Sequence, residues 1–196
     1  MDIYHTVLLK DVIMRNKIRN VTFLENLVRF IADNTGKLIS ANSIAKFMKS
    51  QGENVTSTVV SNYIKYLTEA YMIHQVNRYD IHGKRLFENN DKYYFEDHGI
   101  RNALAGGSRE GDIEKVIKNI IYQHLIYLGY TVTVGQLQAG EIDFVCTAKG
   151  GQRKYVQAAF IIADETTRER EFGNLRAIKD NYPKYVVTMD PNVGLI

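Results

Sequence analysis

One cysteine, Cys146, occurs in 196 residues. A lone thiol excludes an internal disulfide framework and fits a reducing cytosol. No apolar run approaches the roughly 20 residues needed to span a bilayer. The start, Met1-Asp2-Ile3-Tyr4-His5, lacks both the basic flank and the apolar core of a signal peptide. A cytoplasmic protein with no membrane partner is expected. Charge of one sign is also scarce: 25 Lys and Arg against 22 Asp and Glu leave a formal net charge of +3. That excess permits contact with nucleic acid but is no electrostatic footprint. No internal repeat, low-complexity tract or G-x-x-x-x-G-K-[S/T] phosphate loop occurs. Gly106-Gly107-Ser108-Arg109-Glu110-Gly111 lacks the lysine and following hydroxyl that hold phosphate and magnesium.

What is present reads as a globular protein: 45% hydrophobic and 24% charged residues, long enough for one ordinary domain or two small ones. Ala105-Gly106-Gly107-Ser108 marks the best boundary, because the pattern changes across it.

Before those glycines, apolar residues at Phe23, Leu24, Leu27, Val28, Phe30 and Ile31 recur at helical spacing, predicting a helix over 21–34. Residues 40–43 offer a polar cap for a second helix over 44–50, closed by Gly52. Thr56-Ser57-Thr58 opens a third, with Val59, Val60, Tyr63, Ile64 and Leu67 as its buried stripe. A strand over 71–79, a turn over 80–84 and a returning strand over 92–96 follow. Three short helices and a two-stranded hairpin make the order of a winged helix-turn-helix domain. Its recognition helix would expose Thr56, Ser57, Thr58, Ser61, Asn62 and Lys65, whose hydroxyls and amide can read base edges. The wing tip, His82-Gly83-Lys84-Arg85, would bring Lys84 and Arg85 to phosphate. Against this, the helix carries one lysine offset by Glu69, and duplex binding usually needs several phosphate neutralisations.

After the glycines, a periodic helix over 113–128 precedes strands over 131–134, 140–147 and 154–162. A charged helix over 166–178, with Phe172, Leu175 and Ile178 inward, and a strand over 185–189 complete the chain. Helix, three-stranded meander, helix, strand resembles the core order of the PD-(D/E)XK nuclease superfamily. That resemblance implies an acid on the first helix, an acid on the second strand, and Glu-x-Lys on the third. Carboxylates there would bind magnesium and the lysine would assist the attacking water. Asp143 matches the second-strand acid, with Glu141 two residues before it on the same face. Gln157 stands at the next acid position, with an amide oxygen but no charge, and Ala159 stands where lysine should be. Glu141, Asp143 and Gln157 therefore read as a vestigial site. Asp143 would be a metal ligand, and magnesium a cofactor, only if that site were active. His124 reads as a packed or surface residue, because no second histidine lies at a metal-binding spacing. His98 is expected to pack at the domain junction. Cys146, in register with Ile142 and Phe144, is expected to be an inert buried thiol.

Lys92-Tyr93-Tyr94-Phe95-Glu96-Asp97-His98-Gly99-Ile100-Arg101-Asn102 is similar to the YYF-x-D-x-G-(L/I)-R-N signature of a domain of unknown function. That domain forms the C-terminal part of bacterial and archaeal AAA-type P-loop ATPases. Matches also fall at residues 5–12, which resemble the segment after the ATPase module, and at 119–122, 140–145 and 170–175. The resemblance implies a lead-in segment over 1–20, a winged-helix domain over 21–104 and a degenerate nuclease-like domain over 105–196. Family members usually carry Glu-Asn where this chain has Lys118-Asn119, so the helix acid is missing as well. ATP would belong to the ATPase module, which this chain lacks, and the chain itself is expected to need no cofactor. Three functions follow: a non-catalytic module of an AAA-type ATP-binding protein that binds a protein partner or DNA; a metal-dependent nuclease with a degenerate site; or a winged-helix DNA-binding regulator. Absence of the helix acid and the lysine favours the first, and with it a chain that is not itself an enzyme.

Overall fold

The computed structural model of the chain describes residues 6, 12–86, 90–105, 112–138 and 140–191. The glycine boundary at 106–108 and most of the lead-in match, at 5 and 7–11, lie outside the described residues. Helices and strands are mixed, an α+β arrangement. The chain divides into two compact units, Met1–Gln75 with Asn90–Ser108, and Val76–Asn89 with Arg109–Ile196.

In the first unit, α1 (Val21–Asp33), α2 (Ala41–Ser50) and α3 (Ser57–Glu69) each start on a polar cap. Asn20, Ser40 and Thr56 accept from the backbone N–H three residues on, satisfying donors the first turn leaves open. Helix α2 starts three residues earlier than expected, because Ser40 and Ser43 cap each other's backbone. Phe23, Leu24, Leu27, Val28 and Ile31 of α1, Ile44 and Met48 of α2, and Val60, Ile64 and Leu67 of α3 share one core. Strand β1 (Ile73–Val76) pairs with β4 (Lys92–Phe95), and Tyr93 and Phe95 enter that core.

The tyrosine-rich signature ends in α4 (His98–Leu104), where its residues are structural joints. Asp97 caps α4, its Oδ1 accepting the Ile100 N–H at 2.8 Å. Gly99 leaves room for that carboxylate, since an added Cβ would lie 3.0 Å from Asp97 Oδ1. Arg101, fully buried, donates from Nε to the Ala32 carbonyl at 2.9 Å. Helix α1 has no basic residue in its own last turn, so Arg101 supplies the cation its C-terminal dipole favours. His98, expected to be packed, is exposed on the first turn of α4.

The second unit contains β2 (Arg78–Asp80), β3 (Arg85–Leu86), α5 (Ile113–Tyr127), β5 (Thr131–Leu137), β6 (Gly140–Thr147), β7 (Arg153–Ala159), α6 (Glu165–Arg176) and β8 (Lys184–Thr188). Its sheet runs β3-β2-β5-β6-β7-β8, with β5, β6 and β7 an antiparallel meander and β8 parallel to β7. On one face, Leu175 and Ile178 pack with Ile142, Val145 and Tyr155. Phe172, expected to point inward, is only half-buried and lies under Arg168.

The expected wing is built differently. No continuous strand covers 71–79; β1 stops at Val76, and β2 joins the second unit's sheet by pairing in parallel with β5. The Asn77 carbonyl accepts the Val134 N–H at 2.9 Å, and Ile81 donates to the Gln136 carbonyl at 3.2 Å. Gly135 permits this approach: a Cβ there would lie 2.8 Å from Ile81 Cδ1. The expected first domain, 21–104, is therefore interrupted, since 76–89 belongs with the second unit.

Candidate functional site

Strands β6 and β7 carry the polar residues singled out by the sequence, and a bulge decides how they meet. Thr133 faces Val145 while Gly135 faces Ile142, so Asp143 and Phe144 together oppose Val134. The extra residue moves Ile142 into the same cluster as Val145, so it does not share the expected register with Phe144 and Cys146. Cys146 is nevertheless fully buried, and that burial pushes its thiol up to about 12. A thiol so held is a poor nucleophile at neutral pH.

Backbone pairing between β6 and β7 runs from Thr147↔Arg153 to Phe144↔Val156. Beyond it, side chains bridge the strands. The Asp143 N–H donates to Gln157 Oε1 at 3.1 Å, and the Ala158 N–H donates to Asp143 Oδ2 at 3.2 Å. The other carboxylate oxygen, Oδ1, lies 3.2 Å from Lys118 Nζ on α5, and that ammonium also lies 3.0 Å from Glu114 Oε1. Asp143 is almost wholly buried and Lys118 mostly so, at 1% and 17% side-chain exposure. Low exposure gives the pair its weight, because a buried carboxylate requires both a counter-charge and hydrogen bonds.

The structure thus brings Asp143 and Gln157 together and adds Lys118. The sequence showed Lys118 only as a missing acid; its reach to Asp143 depends on how α5 lies over the sheet. Glu141 is half-buried opposite Gln136, and its carbonyl accepts from Asn174 Nδ2 at 3.2 Å. Gly140 is needed at that joint, since a Cβ would lie 2.6 Å from Asn174 Oδ1. Ala159 is buried and offers no polar group. Glu171, which the charged pattern of α6 concealed, is buried with Oε1 held by Arg170 at 2.9 Å and Oε2 without a hydrogen-bond partner among the described residues. Among the described residues, no three His, Cys, Asp or Glu side chains converge to hold a metal ion. His124 is exposed, with its ring 6.4 Å from that of Tyr127.

The second set of site residues lies on α3. Thr56, Ser57, Thr58, Ser61, Asn62 and Lys65 are all exposed, as a recognition helix requires. Thr56 Oγ1 is occupied as the cap, accepting from the Val59 N–H at 3.3 Å. Lys65 Nζ lies 3.8 Å from Glu69, in an exposed i,i+4 pair. Lys84 and Arg85 are exposed too, but they belong to the β2–β3 hairpin of the second unit. Asp80 organises that turn by accepting the N–H groups of His82 and Gly83, and its Oδ2 lies 3.8 Å from Arg85 Nε. Asp80, at the end of β2, offsets part of the positive charge of this turn.

These features define an α+β protein in which the Lys118 ammonium on α5 meets the buried Asp143 carboxylate on β6. The chain belongs to the family described as "Domain of unknown function (DUF8612)", whose model matches residues 1–111. An uncharacterised protein of Haemophilus influenzae is 33% identical over 186 residues, covering 95% of this chain and 45% of the relative. Uncharacterized protein MJ1544 of Methanocaldococcus jannaschii is 24% identical over 176 residues, covering 87% of this chain and 38% of the relative. The chain therefore spans less than half the length of these two relatives. No solved structure gives a significant match. Among the described residues, no helix is long and apolar enough to cross a membrane.

Proposed function

We propose that the chain is a non-catalytic module of an AAA-type ATP-binding protein, with a winged helix-turn-helix unit and a degenerate PD-(D/E)XK nuclease-like unit. The observation that carries this reading is Lys118 Nζ at 3.2 Å from Asp143 Oδ1. A divalent ion needs several anionic oxygens around it, and magnesium is exacting about their geometry. Asp143 gives one oxygen to Lys118 and the other to the Ala158 N–H, while Gln157 Oε1 accepts from Asp143's own backbone. The donor set does not fit magnesium, and Ala159 supplies no base. The element order of each unit supports the architecture, and the relatives' extra length leaves room in them for an ATPase module. Nuclease assays with magnesium and with manganese test the reading, and no cleavage is expected.

Binding DNA through α3 is the second reading, favoured by the exposure of all six residues on that helix. It makes Lys65→Glu weaken duplex binding several-fold and flatten its salt dependence, with a loss of about 1 in log–log slope. Fluorescence anisotropy against salt measures this. No duplex affinity at low salt would remove this reading and leave a protein partner for α3.

A further inference from the structure

We infer that strand β8 is a self-association edge, through which two copies of this chain join their sheets about a two-fold axis. Strand β8 is the last of the six, and among the described residues no strand lies beyond it. Proteins usually guard such an edge with charge, proline or a covering loop. Here Pro183 and Lys184 stand only at its start, leaving Tyr185-Val186-Val187-Thr188 without a charge.

The two faces of β8 differ. Val186 packs with the Leu175 and Ile178 cluster, on the face covered by α6. Tyr185 and Val187 alternate with it and therefore lie on the opposite face. That is the side of α5, because Lys154 sits 4.5 Å from the ring centre of Tyr130, just past α5, and 5.9 Å from that of Tyr185. Tyr185 is 49% exposed, Val187 41%, and Met189, just beyond the strand, 63%. Among the described residues, an apolar ledge thus runs along an uncovered edge.

The occupant that fits best is a second β8. In parallel pairing with β7, alternate residues of β8 bond inward, and Tyr155 N–H to Pro183 carbonyl at 2.9 Å sets the phase. Lys184, Val186 and Thr188 consequently present their N–H and C=O groups outward. An antiparallel copy centred on Val186 would meet the same three residues as hydrogen-bonded pairs: Val186 with Val186, and Lys184 with Thr188. On the exposed face, Tyr185 would oppose Val187 of the other copy twice over, an aromatic with β-branched match that sheets favour. Lys184 would face a threonine rather than another lysine, and its ammonium already bonds Asp180 Oδ1 at 3.0 Å. The strand is self-complementary in hydrogen bonding, side-chain pairing and charge.

Sedimentation equilibrium of the 196-residue chain tests this. Twice the chain mass is expected at micromolar concentration, and Val187→Lys is expected to raise the dimer dissociation constant at least tenfold by removing the β-branched partner of Tyr185 and placing a charge on the edge. The double variant Tyr185→Glu with Val187→Lys should restore the dimer, because each glutamate then faces a lysine across the two-fold axis. Circular dichroism should show all three proteins folded. A monomeric wild type at 100 μM or above, which would leave the edge to a strand from another protein, overturns the inference. So does a dimer that Val187→Lys leaves intact, or one that the double variant fails to recover.

Discussion

Asp143→Ala is expected to destabilise the second unit by about 3 kcal/mol, the lower end of the cost of breaking a buried ion pair. The size follows from what the substitution leaves behind. Lys118 keeps Glu114, which is half exposed and a weak partner, and stays mostly buried. The Ala158 N–H loses its acceptor, and an unsatisfied buried donor alone costs about 1–3 kcal/mol. Residual exposure of Lys118 keeps the total from the upper end. For a chain of this size, the loss should lower the melting temperature by about 6–12 °C. Lys118→Met together with Asp143→Ala should cost at least about 1 kcal/mol less than the sum of the single changes, because the two groups are in direct contact. Thermal and urea unfolding followed by circular dichroism would measure both. Strict additivity would mean that the pair contributes nothing to stability.

Arg101→Ala should cost the first unit more, about 4 kcal/mol. Arg101 is among the largest fully buried side chains of the described residues. Its removal opens a cavity between α4 and the end of α1 and strips the Ala32 carbonyl of a charged donor. Charged hydrogen bonds contribute about 1.5–3 kcal/mol, and truncating a large buried side chain adds a similar amount. Arg101→Lys should recover only part of this, since an ammonium cannot reproduce the planar fork that reaches both Ala32 and Asn102. Chemical denaturation of the two variants checks the order. Equal losses in Ala and Lys would place the role in charge geometry alone, and no loss in either would refute the joint.

These two residues also show how far the sequence could be read. The Asp97-to-Asn102 stretch stood out only as a signature; its cap and the small residue beside the cap are local, whereas Arg101 acts on Ala32, 69 residues away. A cap can be read in a linear sequence because its parts lie within a few residues. The three helices were legible for the same reason, through caps and apolar periodicity. What escaped depended on distant partners. Nothing in residues 71–79 signals that Asn77 hands the chain from β1 to a second sheet, because Val134 and Gln136 receive it there. The bulge at Asp143 and Phe144 is set by pairing with β5, so period-two alternation misplaced Ile142. Lys118 looked like a lost acid; only the packing of α5 makes it the counter-ion of Asp143. Gln157 showed in the sequence only as an uncharged amide at an acid position; its oxygen accepts the Asp143 N–H across the strands.

Whether Asp143 serves structure or chemistry is decided most directly by cleavage. Purified chain, incubated with magnesium or manganese and with single- and double-stranded DNA and RNA, should release no more product than the Asp143→Asn variant at a temperature where both are folded. Divalent-dependent cleavage by the wild type that disappears in folded Asp143→Asn would contradict the account, and would make Asp143 a catalytic residue despite its ammonium partner.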